Sequence, residues 1–117
     1  LVGGAVAQEL GVGILAVRKG GKLPPPVYGV DYDLEYGQGR LEIPASGIDI
    51  SGSRILVVDD VLATGGTAVA ASKLMDLAGA SVVGVAVIME LADLGGRAKI
   101  AGELGPDVSL HAITDDR

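Results

Sequence analysis

Ile55-Leu56-Val57-Val58-Asp59-Asp60-Val61-Leu62-Ala63-Thr64-Gly65-Gly66-Thr67 decides how the chain is read. Four apolar residues run straight into two adjacent carboxylates. A short Thr/Gly loop then leads into a helix-like stretch. A continuous apolar run is the mark of a buried parallel strand, because both faces of such a sheet are covered. Ligands of open α/β sheets bind where loops leave the carboxyl ends of the strands. At that end this chain carries two negative side chains, two glycines and a helix start. The exposed amides of a helix start attract phosphate, and the aligned peptide dipoles add to that attraction. Carboxylates suit the opposite task of holding sugar hydroxyls or a hard divalent cation. A phosphate cradle beside a sugar clamp points to a phosphorylated-sugar site.

The simpler reading is a strand that ends in solvated acids, with Thr64 or Thr67 capping the next helix. The whole stretch, however, resembles the phosphoribosyl-pyrophosphate (PRPP) motif of the phosphoribosyltransferases. Asp59-Asp60 with Ala63-Thr64-Gly65-Gly66-Thr67 is similar to the variant found in adenine phosphoribosyltransferases. The resemblance implies that Asp59 and Asp60 hold the ribose hydroxyls. It also implies that Ala63, Thr64, Gly65, Gly66 and Thr67 wrap the 5′-phosphate.

Composition narrows the alternatives. The 117 residues suit one domain. A net charge of −6 argues against a nucleic-acid surface, so an anionic substrate must rely on local positive features. With no cysteine, disulfides and thiolate chemistry are excluded. One histidine, His111, makes a histidine-based triad or multi-histidine metal site unfavourable, and its place in an apolar alternation reads as a partly exposed strand residue. The longest apolar stretch, Val82 to Met89, falls far short of the ~20 residues that span a bilayer. No membrane association is expected, and the opening lacks the basic start of a secretory signal. The expected setting is cytoplasmic.

Along the chain, a first helix should end at Gly11. Val12 to Val17 reads as a buried strand, followed by a Gly/Pro loop through Pro26. Tyr28 to Tyr36 and Arg40 to Ile43 read as a hairpin turning at Gly37-Gln38-Gly39. Arg54 to Asp59 is the motif strand, and Thr67 to Ala78 a helix with Leu74, Leu77 and Ala78 at core spacing. Ser81 to Glu90 is a further buried strand. Ala92 to Leu104 is a loop with a short helix, and Val108 to Thr114 a last strand. This alternation predicts a parallel sheet with helices on its faces.

Two other segments carry chemistry. In Asp33-Leu34-Glu35-Tyr36-Gly37, alternation puts Asp33 and Glu35 on one face and Leu34 and Tyr36 on the other. Alone, this is a polar-out hairpin strand. It also resembles the Leu-Glu-Tyr-Gly segment of adenine phosphoribosyltransferases, which implies that Glu35 is the acid/base on the purine and that Tyr36 lies beside the substrates. Arg18-Lys19-Gly20-Gly21-Lys22-Leu23-Pro24 reads alone as a solvated basic loop. It is similar to the family's Arg-Lys-x-Gly-Lys-Leu-Pro segment, which implies that Arg18 contacts pyrophosphate. Gly20, where the family often has Pro, and the run Pro24-Pro25-Pro26 depart from that pattern. Gly95-Gly96-Arg97 echoes the family's Lys-Gly-Arg and is read as packing.

The expectation is an α/β, parallel-sheet phosphoribosyltransferase fold, Rossmann-like, with a β-hairpin and flexible loop over the active site. Residues 1–117 should form one domain. Leu1 reads as the middle of a helix, and the resemblance implies that the N-terminal hood and first core strand are missing. The implied reaction is adenine plus PRPP to AMP and pyrophosphate, in purine salvage, with Mg²⁺ as cofactor and a homodimer as assembly. No set of direct side-chain metal ligands is read, and Asp59 and Asp60 are candidates through ribose and Mg²⁺. The alternatives are an enzyme for another base (xanthine or guanine), a non-catalytic PRPP-sensing regulator, and a flavodoxin-like binding domain. The last fits the sheet but not the paired aspartates.

Overall fold

Small apolar side chains explain the central element. Gly66–Leu77 (α2) is rich in alanine, a strong helix former that lets packed layers approach closely. It buries Ala68, Val69, Ala70, Ala71, Leu74 and Met75. The computed structural model describes residues 2–34 and 36–116. In chain order the elements are α1 (Val2–Leu10), β1 (Arg18–Lys19), β2 (Val27–Leu34), β3 (Gly37–Pro44), β4 (Arg54–Leu62), α2, β5 (Ser81–Glu90), a 3-10 turn (Ala92–Leu94), α3 (Gly96–Leu104) and β6 (Ser109–Asp115).

Two sheets form. β4, β5 and β6 make a parallel sheet in that order, with Val57 opposite Val85 and Val85 opposite Leu110. β1, β3 and β2 make an antiparallel sheet in which β3 is central. Helix α2 serves both. On one side, Ala70, Ala71, Leu74 and Met75 pack with Leu41 and Ile43 of β3. On the other, Ala68 packs with Leu62, Val85 and Val87 of the parallel sheet and Ile100 of α3.

The expected parallel sheet is present, and several boundaries and burials differ from the sequence reading. Val12 to Val17 forms no strand, and Val12 and Ile14 are exposed. A strand needs a partner ladder for its N–H and C=O groups. This segment instead lines a trough of about 1120 Å³ that it shares with β4. For the same reason β4 is not fully buried. Among the described residues it pairs only with β5, and Leu56 and Val61 are exposed. β4 also continues to Leu62, three residues past Asp59. In the hairpin, pairing extends to Leu34 opposite Gly37, so Gly37-Gln38-Gly39 lies within β3. Gly39 leaves room there for the Tyr32 ring on the facing strand, which a Cβ would approach to 2.7 Å and push aside.

Leu74 has no accessible surface, whereas Leu77 is 54% exposed, against the expectation that both are core residues. Leu77 lies on the face of α2 turned away from the core, because Leu74, Met75 and, one residue past Leu77, Ala78 are the residues that pack against it. Leu74→Ala should lower unfolding free energy by about 2–5 kcal/mol, and Leu77→Ala by under about 1 kcal/mol. Urea unfolding of the two variants against the parent checks this, and equal losses would contradict the packing described.

Candidate active site

β4 carries its apolar residues up to Asp59 and Asp60, and the chain leaves the sheet after Leu62. Side chains alternate along a strand, so the two carboxylates take opposite faces. Asp59 is half-buried and Asp60 exposed. The Asp60 backbone N–H donates to Asp59 Oδ1 at 2.8 Å. Partial burial raises the Asp59 carboxyl above its ordinary range, and the neighbouring Asp60 carboxyl adds to this, while the Asp60 amide opposes it.

After Ala63 and Thr64, Gly65 adopts φ 89° and ψ −2°, the left-handed region open to glycine. That turn starts α2, and no side chain caps the helix. Neither Thr64 nor Thr67 therefore acts as the cap that the simpler sequence reading offered. The first intrahelical bond runs from Val69 N–H to Gly65 O at 3.0 Å. The preceding amides lie at the positive end of the helix dipole, with the exposed hydroxyl residues Thr64 and Thr67 beside them. This is an anion-binding arrangement of backbone donors with two carboxylates a few residues upstream.

The trough brings together Asp59, Ala63, Thr64, Gly65, Gly66, Thr67 and Lys19. Arg18, Asp60 and Tyr36 are not among its lining residues. Arg18 is exposed on β1, in register with Glu42. Glu42 is buried and accepts hydrogen bonds from Gly21 N–H at 3.1 Å and Arg40 Nε at 3.0 Å. That contact fixes the turn after β1, and of the two basic residues Lys19 lines the trough while Arg18 lies outside its lining. Tyr36 is 92% exposed. The far end of β2 nevertheless abuts the start of α2, because a Cβ on Gly66 would lie 3.9 Å from the Asp33 carbonyl oxygen. Glu35 lies outside the described residues.

Among the described residues, no three His, Cys, Asp or Glu side chains converge as a metal site. Asp59 and Asp60 are hard oxygen donors at the loop. They fit a divalent cation only as part of a ligand set completed by water or by a bound phosphate.

The phosphoribosyl transferase domain matches residues 1–109. The chain belongs to this family. Its phosphoribosyl transferase fold is shared with solved relatives. The adenine phosphoribosyltransferase of Mycolicibacterium vanbaalenii is 62% identical over 100 residues, 86% of this chain and 58% of that protein. The crystal structure of adenine phosphoribosyltransferase from Thermoanaerobacter pseudethanolicus superposes with a TM-score of 0.85 at 39% identity, covering 97% of this chain and 62% of that one. APRTase from Giardia lamblia, complexed with 9-deazaadenine, gives 0.86 at 35% identity, covering 100% of this chain and 64% of that one. The chain thus spans less than two thirds of the length of these relatives.

The raised Asp59 pKa has a consequence for stability. Because the folded state binds this proton more tightly than the unfolded chain, Asp59 favours folding at low pH, and that contribution is lost as pH rises through the folded pKa. Asp59→Asn removes the ionisation while keeping an acceptor for the Asp60 amide. The variant should melt above the parent near neutral pH, with the gap closing toward about pH 3, where the Asp59 carboxyl is largely protonated whether the chain is folded or unfolded. Thermal melts across that range check this, and a gap that widens on acidification would reverse the sign.

Proposed function

We propose that the chain carries the PRPP- and AMP-binding part of an adenine phosphoribosyltransferase, a purine-salvage enzyme that converts adenine and PRPP to AMP and pyrophosphate. The observation that carries this reading is the junction from β4 to α2. There the Asp59-Asp60 pair stands upstream of an uncapped helix start whose turn is made by Gly65. A ligand that matches it must present hydroxyls to the carboxylates and an anion to the amides. A 5-phosphorylated ribose has both.

In this reading Asp59 and Asp60 accept hydrogen bonds from the ribose hydroxyls. The amides of residues 64–67, with the hydroxyls of Thr64 and Thr67, donate to the 5′-phosphate. Lys19, which lines the same trough, and Arg18, its neighbour on β1, supply positive charge to the diphosphate. The reaction needs no covalent nucleophile on the protein. A ring nitrogen of adenine bonds to C1 of the ribose as the C1–O bond to diphosphate breaks, and the departing oxygen keeps the electron pair. The adenine nitrogen must lose a proton. Glu35, placed by its motif rather than by a described position, is the proposed acceptor, with Tyr36 beside the substrates. General-base assistance of this kind is worth about 10²–10⁴-fold. Mg²⁺, when bound by the diphosphate with water and one of the two aspartates, would neutralise charge on the leaving group.

Base choice rests on the 9-deazaadenine complex of the Giardia protein and on the adenine phosphoribosyltransferase relatives. A homodimer and a cytoplasmic setting belong to the same proposal. No described helix is long and apolar enough to cross a membrane. The expected domain organisation is also part of it. The open edge of β4 and the unpaired residues 12–17 line one trough. This supports a further core strand between them and a base-reading hood, both drawn from the length of the relatives that this chain does not span.

Titration calorimetry tests the cradle. Thr64→Ala should weaken AMP binding about tenfold or more, since one hydrogen bond to a charged group is worth ~1.5–3 kcal/mol. Unchanged AMP affinity would sink the assignment. For the chemistry, Glu35→Gln should lower kcat for AMP formation by about 10²–10⁴ while leaving PRPP affinity nearly unchanged. A rate within twofold of the parent would remove Glu35 from the mechanism. Faster turnover of xanthine or guanine than of adenine would move the assignment to a sister enzyme.

A further inference from the structure

Behind the loop at residues 63–67 stands an element that the chemistry above does not use. β5 ends at Glu90, and Leu91 N–H donates to Leu62 O at 2.9 Å, so the exits of β4 and β5 remain tied together. The chain then makes its 3-10 turn and begins α3 at Gly96, which is buried. A Cβ at Gly96 would collide with the Ala63 carbonyl oxygen and would lie 2.9 Å from the Leu62 side chain. From the other side, a Cβ at Gly65 would lie 3.1 Å from the Gly96 carbonyl oxygen and 3.3 Å from its Cα. The loop and the first turn of α3 therefore meet backbone against backbone.

The next residue holds that turn in place. Arg97 donates to both oxygens of the Glu90 carboxylate, at 2.7 Å from Nη2 and 3.1 Å from Nε. Glu90 is buried at the end of β5, whereas Arg97 is exposed. A two-pronged guanidinium–carboxylate pair fixes orientation as well as distance. It ties the start of α3 to the same sheet end from which the loop emerges.

We propose that Gly96, held by the Arg97–Glu90 pair, is a positioning residue that sets where the amides of the loop at residues 63–67 lie. A methyl group at Gly96 must displace either α3 or the Ala63 carbonyl, two residues before the left-handed turn at Gly65. The consequence for ligands rests on the reading of that loop as the 5′-phosphate cradle. A shift there weakens ligands that carry the phosphate and spares the free base.

The test compares Gly96→Ala with Gly102→Ala, a control in the same helix where a Cβ meets nothing within 4 Å. Amide hydrogen exchange is followed residue by residue, and AMP, ribose 5-phosphate and adenine are titrated by calorimetry. In Gly96→Ala, exchange at residues 64–67 should speed by about tenfold, with AMP and ribose 5-phosphate weakened about tenfold and adenine within about twofold. Gly102→Ala should match the parent. If Gly96→Ala does not fold, Arg97→Lys, which keeps the charge and loses the fork, should show the same pattern with a smaller amplitude. Loop exchange equal to that of the control, or faster exchange spread evenly over the protein, would overturn the proposal. Faster loop exchange with unchanged affinity for both phosphate ligands would support the positioning role and refute the cradle instead.

Discussion

Everything at the candidate site depends on a close approach of backbone to backbone around Gly65. Its left-handed conformation turns the chain out of β4 and into α2 within a few residues. An L side chain would be disfavoured there by its own backbone, and the added Cβ would also press on Gly96. With no side-chain cap on α2, the amides that a Ser or Asp cap would have engaged stay oriented outward. Gly65 thus does two things. It places the helix start at the carboxyl end of the sheet, and it leaves that start available to an anion.

Helix α2 carries this local geometry into the rest of the fold. Its alanine-rich face lets two different sheets pack on one element, the antiparallel sheet through Leu41 and Ile43 and the parallel sheet through Leu62 and Val85. The end of β2 reaches the first turn of the helix, and β1 carries Lys19 into the same trough. The basic segment, the Asp33 end of β2 and the acidic loop are separated along the chain. They become neighbours because both sheets share one helix.

The parts of this arrangement that the residues made legible are those governed by local rules. The apolar runs 55–58 and 81–89, the Gly-Gly turn and the alanine-rich helix all express local periodicity or turn chemistry, and each appears where expected, although β4 runs on through Asp59-Asp60 to Leu62. The failures concern partners. Val12 to Val17 has the composition of a strand, but composition does not say whether a ladder lies beside it. Burial of β4 was overestimated for the same reason, since an apolar run is silent about which sheet edge is open. Leu77 has core spacing but falls on the outer face of α2, while Ala78 beyond it still meets the core. The contact of Gly96 with Ala63 was invisible, because a glycine needed for close approach reads the same as one in a loose turn. Lys19 and Arg18 differ by a single strand position, and only the register with Glu42 and Leu41 separates them.

The charge balance poses a last question, because a chain of net charge −6 is read as binding a polyanion. Global charge acts over the Debye length, about 8 Å at physiological ionic strength, and is screened beyond it. Hydrogen bonds to phosphate act at contact, where amides, a helix end and Lys19 converge. The two aspartates look wrong for a phosphate site, and Asp59 is held partly against its own ionisation. They make sense only if the ligand brings hydroxyl donors to them while its anionic end lies on the amides. An isolated phosphate would leave Asp59 and Asp60 as uncompensated negative charge beside it. A sugar between the carboxylates and the phosphate resolves the conflict. The pairing of acids with an anion cradle is therefore a stronger sign of a phosphorylated sugar than either feature alone.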